Sequence, residues 1–466
     1  MNQDTICALA TANGMGAIGI IRVSGDRAME IVNHVFKGKD LTQVPSHTVH
    51  YGFITEPGDL QEEVIDEVMV SVFRAPKTFT TEDSVEISFH GSPHIAGKIL
   101  EVLTRNGCRM AKAGEFTLRA FMNGRIDLSQ AESVADLIAS ENEASRKVAL
   151  NQLKGGITQE ISILRGDLLN FTSLVELELD FAEEDVEFAD RSALNMLLDR
   201  IEDKLRSLTD SFQYGNAIKN GVDVAIIGKP NAGKSTLLNA LLKEERAIVS
   251  DIAGTTRDTI EEVLHIKGNA FRFIDTAGIR ETTDTIEEIG VRKAKEKIAT
   301  AKILLYLYDA FDSTPEEVIA FVKEFYRDDL SMVLVHNKSD LSSETSDAFD
   351  ERLKSELSPG YTTGMIRISA KQGTGIERVL EVLEDYIQQL QGGEDQVVIT
   401  NQRHFEALQK SLESVRRVKS AIAQSFHTEL LAYELRYALE YLGEISGEFT
   451  NDEVLGNIFS KFCIGK

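Results

Sequence analysis

The stretch Val222–Leu242, VDVAIIGKPNAGKSTLLNALL, decides the fold of the chain's central part. Its first seven residues form a short apolar run suited to a buried strand. Gly228 to Ser235 then spell G-x-x-x-x-G-K-S, and TLLNALL opens a helix. Strand, glycine-rich loop and helix in that order make a phosphate cradle. Backbone N–H groups curl round the phosphates, and the helix N-terminus adds a favourable dipole. Lys234 is expected to reach the β and γ phosphates, and the Ser235 hydroxyl to bind Mg²⁺. Asn231, Ala232, Gly233 and Thr236 complete the phosphate-binding set.

Outward from this loop, residues 222–385 alternate strand-like and helical segments. VDVAIIG, AFRFID, KILLYLYDA, SMVLVHNK and MIRIS are the short apolar runs of a buried parallel sheet, which predicts a doubly wound α/β fold. Asp275-Thr276-Ala277-Gly278 follows AFRFID, where an acid serves the Mg²⁺ shell and the Gly278 N–H faces a γ-phosphate. Asn337-Lys338-Ser339-Asp340 looks like the N-K-x-D guanine reader of GTPases. A carboxylate at Asp340 accepts from guanine N1 and N2, which favours GTP and argues against the ATPase reading open to the phosphate loop alone. Ser369-Ala370-Lys371 resembles the second base-contacting loop. Together these elements resemble a GTPase of the Ras-like superclass.

Ser250-Asp251-Ile252-Ala253-Gly254-Thr255-Thr256-Arg257-Asp258 stands where the first switch belongs, with Thr256 as the second Mg²⁺ hydroxyl. GTTRD also resembles the branch that holds septin- and Era-like GTPases. Ras-type proteins place a Gln directly after the DxxG glycine to orient the attacking water. Here that position is Ile279, which cannot hydrogen-bond water. Another polar group is required, and Arg280, Glu281, Asp284, Glu287 and Glu288 follow closely.

The flanks differ in character. TICALAT, AIGIIRVSG, VMVSVFRAP and SVEISFHG are β-type runs, with HIAGKILEVLTRNG helical between them, so residues 1–122 read as an α+β domain. The glycines of Gly14-Met15-Gly16-Ala17-Ile18-Gly19 spell a dinucleotide fingerprint, but a strand follows rather than a helix, so they read as a turn between strands. After Gly124 the pattern turns helical. Ser129 and Glu132 match a capping box, and helical periods run through Ile161–Phe181 and Ser192–Phe212. The acids Glu176 to Glu187 read as a solvated helix end rather than a metal site. Helical pattern returns after Gly392, with Phe405, Leu408, Leu412, Val415 and Ile422 on one face, continued by Leu431, Leu435, Leu439 and Leu442. The expected organisation is residues 1–122 as the N-terminal domain, 123–217 and 386–466 as two segments of an all-α domain, and 218–385 as the inserted α/β domain.

Composition sets limits. The 466 residues carry 50 Lys and Arg against 75 Asp and Glu, a net charge of −25. Such a chain cannot coat nucleic acid through bulk electrostatics, so any RNA contact needs a local patch or a partner. Cys7, Cys108 and Cys463 lack metal-ligand spacing and are too few for a disulfide scaffold. MNQDTICALA does not read as a signal peptide and no apolar run is long enough to span a membrane, so a cytoplasmic location is expected. His90 and His94 flank Gly91-Ser92-Pro93 and read as loop or core residues. Cys463 reads from base rates as a small buried hydrophobe.

The chain as a whole resembles the MnmE (TrmE) family of tRNA-modification GTPases. The resemblance rests on Gly16–Gly25, the segment AGEFTLRAFMNGRIDLSQAE at Ala113–Glu132, PNAGKST, DIAGTTRD, DTAGIR, NKSD and the terminal Phe462-Cys463-Ile464-Gly465-Lys466. It implies a tetrahydrofolate-binding N-terminal domain that also dimerises, and pairing with the FAD protein MnmG. It implies modification at C5 of wobble uridine 34, with 5-formyl- or methylene-tetrahydrofolate supplying carbon. It implies K⁺ held by Asn231, Ser250, Ile252 and Thr255, a water-orienting Glu287, and folate contacts from Arg22, Glu86, Arg125 and Lys466. The motif also raises a role for Cys463. Arg125 stands where some relatives have Lys, which keeps the charge but not the geometry. Two other readings stay open on sequence: an Era-like regulator of ribosome assembly, and a stand-alone folate one-carbon transferase.

Overall fold

The computed structural model describes residues 4–56, 63–180, 191–244, 261–274, 298–341, 344–357, 360–391, 397–424 and 428–465. They divide into two compact units. One comprises Met1–Ala139, Leu150–Leu197 and Glu413–Lys466; the other comprises Ser140–Ala149 and Leu198–Leu412.

The first unit contains a seven-stranded sheet of β1 (Ile6–Leu9), β2 (Ile18–Ser24), β3 (Phe36–Lys37), β4 (Thr48–Glu56), β5 (Glu63–Phe73), β6 (Ser84–His90) and β7 (Arg109–Met110). Their spatial order is β3-β4-β5-β6-β2-β1-β7, antiparallel except for the β1–β7 pair. Gly14 and Gly16 lie in the connection between β1 and β2, as the sequence suggests, whereas Gly19 is already within β2 and pairs with Phe89. β4, missed from sequence, carries too many polar residues to stand out as a run, yet its inward Ile54 is fully buried. Helices α1 (Ala28–Val35) and α2 (Pro93–Arg105) cover one sheet face, burying Val23, Ile31, Val70, Ile87, Ile99 and Leu103. Ile6, Ala8, Ala111 and Phe116 form a smaller cluster that includes the first turn of α3 (Glu115–Met122).

Helix α4 (Leu128–Ile138) begins differently from the sequence reading. Its N-cap is Asp127, not Ser129. Asp127 Oδ1 accepts the Gln130 N–H at 2.8 Å, and Gln130 Oε1 accepts the Asp127 N–H at 3.0 Å. Asp127 has the extended backbone that a cap needs, φ −84° and ψ 178°, whereas Ser129 already lies inside the helix. α5 (Glu143–Leu153), α6 (Gly156–Asp180) and α7 (Arg191–Asn220) follow.

The second unit holds a six-stranded sheet of β8 (Val222–Gly228), β9 (Glu261–Ile266), β10 (Asn269–Ile274), β11 (Ile303–Tyr308), β12 (Ser331–His336) and β13 (Gly364–Arg367), ordered β13-β12-β11-β8-β10-β9. Every pairing is parallel except β9–β10. β9 is absent from the sequence reading because EEVLHI mixes charge with apolar residues, as an edge strand does. Helices α8 (Lys234–Glu244), α9 (Pro315–Phe325), α10 (Glu344–Glu356) and α11 (Ile376–Leu390) are interleaved with these strands. Val224, Ile226, Leu305, Leu307, Val333 and Val335 are buried at the sheet centre, so the carboxyl ends of β8, β11 and β12 are held rigidly side by side.

Helices α12 (Gln402–Ala423), α13 (Thr428–Ser446) and α14 (Asp452–Ser460) end the chain. Within the first unit, Arg436 of α13 pairs with Glu176 of α6 at 2.7 Å. Leu455, Phe459 and Phe462 pack with Leu128 and Ala131 of α4.

Candidate functional site

The loop Gly228–Ser235 leaves β8 and opens α8. Lys234 Nζ donates to the carbonyls of Gly228 and Lys229 at 2.8 and 2.9 Å, so it lies folded over the loop's own acceptors. Asn231 is exposed at φ 62°, a left-handed conformation that Asn tolerates better than most side chains. Gly233 has φ 100°, and a Cβ there would overlap the Asn337 side-chain amide. Only glycine lets that amide approach. Ala232 is buried, while the hydroxyl-bearing Ser235 and Thr236 are exposed at the first turn of α8.

Asn337 follows β12 and is 4 % exposed. Its Nδ2 donates to the Ala232 carbonyl at 2.7 Å, and its Oδ1 accepts the Ala370 N–H at 3.0 Å. One side chain thus joins three loops. Ser369 Oγ donates to Asp340 Oδ1 at 2.6 Å and turns that carboxylate, while the Ser339 N–H donates to the Ile368 carbonyl at 3.0 Å. Lys371 is exposed beside them. The structure therefore brings Asn231–Thr236, Asn337–Asp340 and Ser369–Lys371 to one end of the sheet. Ser250–Thr256, Asp275–Gly278 and Glu287 lie outside the described residues.

Sequence reading missed Asp309, which directly follows β11 and is 1 % exposed. It lies 2.8 Å from Lys338 Nζ, and its Oδ1 accepts the N–H groups of Phe311 and Asp312. Burial works to raise the Asp309 carboxyl, but the Lys338 ammonium and those two N–H groups outweigh it and hold the group below the usual carboxylate range. Its signal in the sequence was an acid closing an otherwise apolar strand.

A second site lies in the first unit. Arg22 on β2 stands directly opposite Glu86 on β6, and the two form an ion pair at 2.9 Å. Both line a cavity of about 490 Å³ with Arg125, His47, Phe79 and Thr80. Phe79, also missed from sequence, lies beside both guanidinium groups, 5.7 Å from Arg22 and 5.1 Å from Arg125. The loop carrying Phe79 is held from several sides. Ser24 Oγ lies 2.7 Å from Thr80 Oγ1, the Asn123 amide donates to the Thr80 carbonyl at 2.7 Å, and Arg119 pairs with Glu82 at 3.1 Å.

The chain's end is also anchored in this unit. Ile464 bridges Ala113, and the Gly114 N–H donates to the Cys463 carbonyl at 3.4 Å. Gly465 has φ 96°, and a Cβ there would overlap the Leu9 carbonyl. Cys463 is exposed, which corrects the expectation of a buried thiol, because the neighbouring Phe462 takes the buried position instead. Lys466 lies outside the described residues.

Residues 5–125 match the family described as GTP-binding protein TrmE N-terminus, and residues 128–463 match the MnmE helical domain. The chain belongs to the tRNA modification GTPase MnmE family. The Flavobacterium johnsoniae tRNA modification GTPase MnmE is 51 % identical over the whole of both chains. The Bacteroides thetaiotaomicron protein of the same name is 49 % identical, again over the whole of both. Among solved structures, Aquifex aeolicus Era bound to GDP.AlF4⁻ is 29 % identical, covering 41 % of this chain and 66 % of that one at a TM-score of 0.28. Family membership makes the chain a GTP-hydrolysing enzyme of tRNA modification. The residues lining the 490 Å³ cavity fall within the TrmE N-terminus match, and the phosphate loop falls within residues 128–463.

Proposed function

We propose that this enzyme, together with the FAD protein MnmG, adds an aminomethyl or carboxymethylaminomethyl group at C5 of wobble uridine 34 in tRNA. The one-carbon donor is 5-formyl- or methylene-tetrahydrofolate. The observation that carries this reading is the cavity joining Arg22, Glu86 and Arg125 in a chain that also holds a phosphate loop. Its size lies within the roughly 300–1,000 Å³ of ligand pockets. Its chemistry fits a folate: a carboxylate suits the amide-and-amine edge of a pterin, guanidiniums suit the glutamate tail, and an aromatic wall suits a flat ring. Lys466 would join the cations on the tail, and the exposed Cys463 is a candidate for the carbon chemistry.

In the GTPase part, Ser235 and Thr256 would hold Mg²⁺, which neutralises phosphate charge when bound. Asn231, Ser250, Ile252 and Thr255 would hold K⁺, all through oxygen atoms as a hard cation requires. Exposed Asn231 at the tip of the phosphate loop fits that duty. Asp275 and Gly278 would serve the metal shell and the γ-phosphate, within a set spanning Ser250–Thr256 and Asp275–Gly278. Glu287 would orient the attacking water in place of Ile279. Asn337–Asp340 and Ser369–Lys371 would hold guanine.

The domain division proposed is 1–122, 123–217 with 386–466, and 218–385. Homodimerisation runs through the N-terminal domain. Its support is the outer face of β4 and β5, where Val49, Tyr51 and Met69 are exposed and Tyr51 stands opposite Met69. G-domain pairing would activate hydrolysis. The net charge of −25 assigns most tRNA affinity to MnmG. A cytoplasmic location completes the reading. No helix among the described residues is long and apolar enough to cross a membrane.

Calorimetry with 5-formyl-tetrahydrofolate tests the carrying observation. Saturable binding by the wild type, lost in Arg125→Ala, supports the assignment. Equal heats from both proteins would remove folate from the cavity. Hydrolysis several times faster in KCl than in NaCl is expected alongside.

A further inference from the structure

Asp309, outside the motifs that mark a nucleotide site, pairs with Lys338 of the loop Asn337–Asp340. Lys338 has φ 62°, a left-handed backbone that is strained for a residue with a Cβ. Such strain persists only where the surroundings over-determine it. Here they do. The Lys338 ammonium is drawn to Asp309 at 2.8 Å and lies 3.6 Å from Asp312. The preceding Asn337 N–H donates to the Tyr308 carbonyl at 2.9 Å, and the following Ser339 N–H donates to Ile368 at 3.0 Å. Each residue about the strained one is tied down.

The anchor itself is rigid. Asp309 Oδ1 accepts from Phe311 and Asp312, and the Ser313 N–H donates to the Asp309 carbonyl at 3.2 Å, so the turn is closed on its own acid. From the other side Lys229, in the phosphate loop, donates to the Asp312 carbonyl at 2.8 Å and to Glu317 Oε2 at 2.7 Å. Glu317 is also the reciprocal partner of Thr314 in the capping box of α9. The turn Asp309–Thr314 is therefore a brace between phosphate loop and base loop.

We propose that Asp309 is a positioning residue for guanine recognition, acting through Lys338 to hold the Asn337–Asp340 loop in its binding conformation before nucleotide arrives. The proposal rests on reading Asn337–Asp340 as the guanine-binding loop. Preorganisation of this kind raises affinity by removing the ordering cost from the binding step. Its effect falls on base-dependent affinity and spares the grip on phosphate.

The test is release of fluorescent GDP and ADP from the full chain, measured for wild type, Asp309→Asn, Lys338→Met and the double variant. Asn keeps the acceptor for Phe311 and Asp312 but removes the anionic partner of Lys338. The expected result is an about tenfold narrower preference for GDP over ADP in Asp309→Asn, with the double variant no worse than Lys338→Met alone, the signature of two residues acting as one. An unchanged GDP-to-ADP ratio overturns the proposal, because mere destabilisation of the fold weakens both nucleotides alike. Losses that multiply in the double variant also overturn it. Should Asp309→Asn fail to fold, Asp309→Ser, another turn-forming acceptor, carries the same comparison. Asp340→Asn is the separate control. If it leaves the GDP-to-ADP preference intact, the reading of the loop fails, whatever Asp309 does.

Discussion

The side-chain amide of Asn337 donates to the backbone carbonyl of Ala232 at 2.7 Å, across 105 positions of sequence. This contact couples the loop expected to read the base to the loop expected to cradle the phosphates. Both partners are buried, so losing either leaves a polar group without water, at a cost of about 1–3 kcal/mol. Asn337→Ala should therefore weaken GDP binding by at least tenfold while leaving the sheet intact, as read by nucleotide titration together with circular dichroism.

Gly233→Ala attacks the same contact from the other side. The new methyl would overlap the Asn337 amide, and alanine would have to adopt φ 100°. Strain and clash together amount to about 3 kcal/mol, or roughly a hundredfold in affinity. Equilibrium titration with fluorescent GDP checks this, and a variant within threefold of wild type would show that the loop can rearrange freely.

Phe79 is predicted to hold two cations toward the cavity. Phe79→Leu keeps an apolar side chain but removes the ring face beside Arg22 and Arg125. Affinity for 5-formyl-tetrahydrofolate should fall by about tenfold, in line with the loss of cation–π and stacking contacts. Glu86→Gln should lower it further, since it also releases the Arg22 pair. Calorimetry separates the two effects.

The helix start at Asp127 gives a stability prediction. Asp127→Ala should cost about 1 kcal/mol through the lost cap, with more from the hydroxyls of Ser129 and Thr158 that the same carboxylate accepts. Ser129→Ala should cost much less, because Ser129 caps nothing. Thermal melting of the two variants distinguishes the reading from the alternative cap.

Acid sensitivity should trace to Asp350. Burial works to raise its carboxyl, but His336, Arg367 and Tyr308 all donate to it and hold it below the usual range. A depressed carboxyl contributes stability that is present above its unfolded value and lost as the pH falls through the folded one. The wild type should therefore lose stability below about pH 4, and Asp350→Asn should be weaker at pH 7 and flatter in acid. Urea midpoints from pH 3 to 7 check both slopes.

Much of this was legible because phosphate chemistry demands fixed residue types at short spacing. Gly228–Ser235 and Asn337–Asp340 each reveal themselves within eight residues. Asp309 and Phe79 do not, because their partners Lys338, Arg22 and Arg125 are distant in sequence and nothing local marks the meeting. β4 and β9 escaped for another reason: strands with exposed faces or edges carry charges that dilute the apolar run. Ser129 misled because D-L-S-Q and S-Q-A-E both satisfy the capping spacing, and only backbone conformation chooses between them. The N-terminal cavity was legible through family resemblance and not through the residues singly, since a lone Arg22 or Glu86 reads as an ordinary surface charge.

The central claim joins GTP hydrolysis to tRNA modification in one chain. Its most direct test is mass spectrometry of nucleosides from the tRNA of a strain lacking this gene, rescued with wild type or with Asp275→Ala. The account predicts that the C5-modified wobble uridine disappears on deletion, returns with wild type, and stays absent with Asp275→Ala. An unchanged nucleoside profile on deletion, or full rescue by Asp275→Ala, would contradict it.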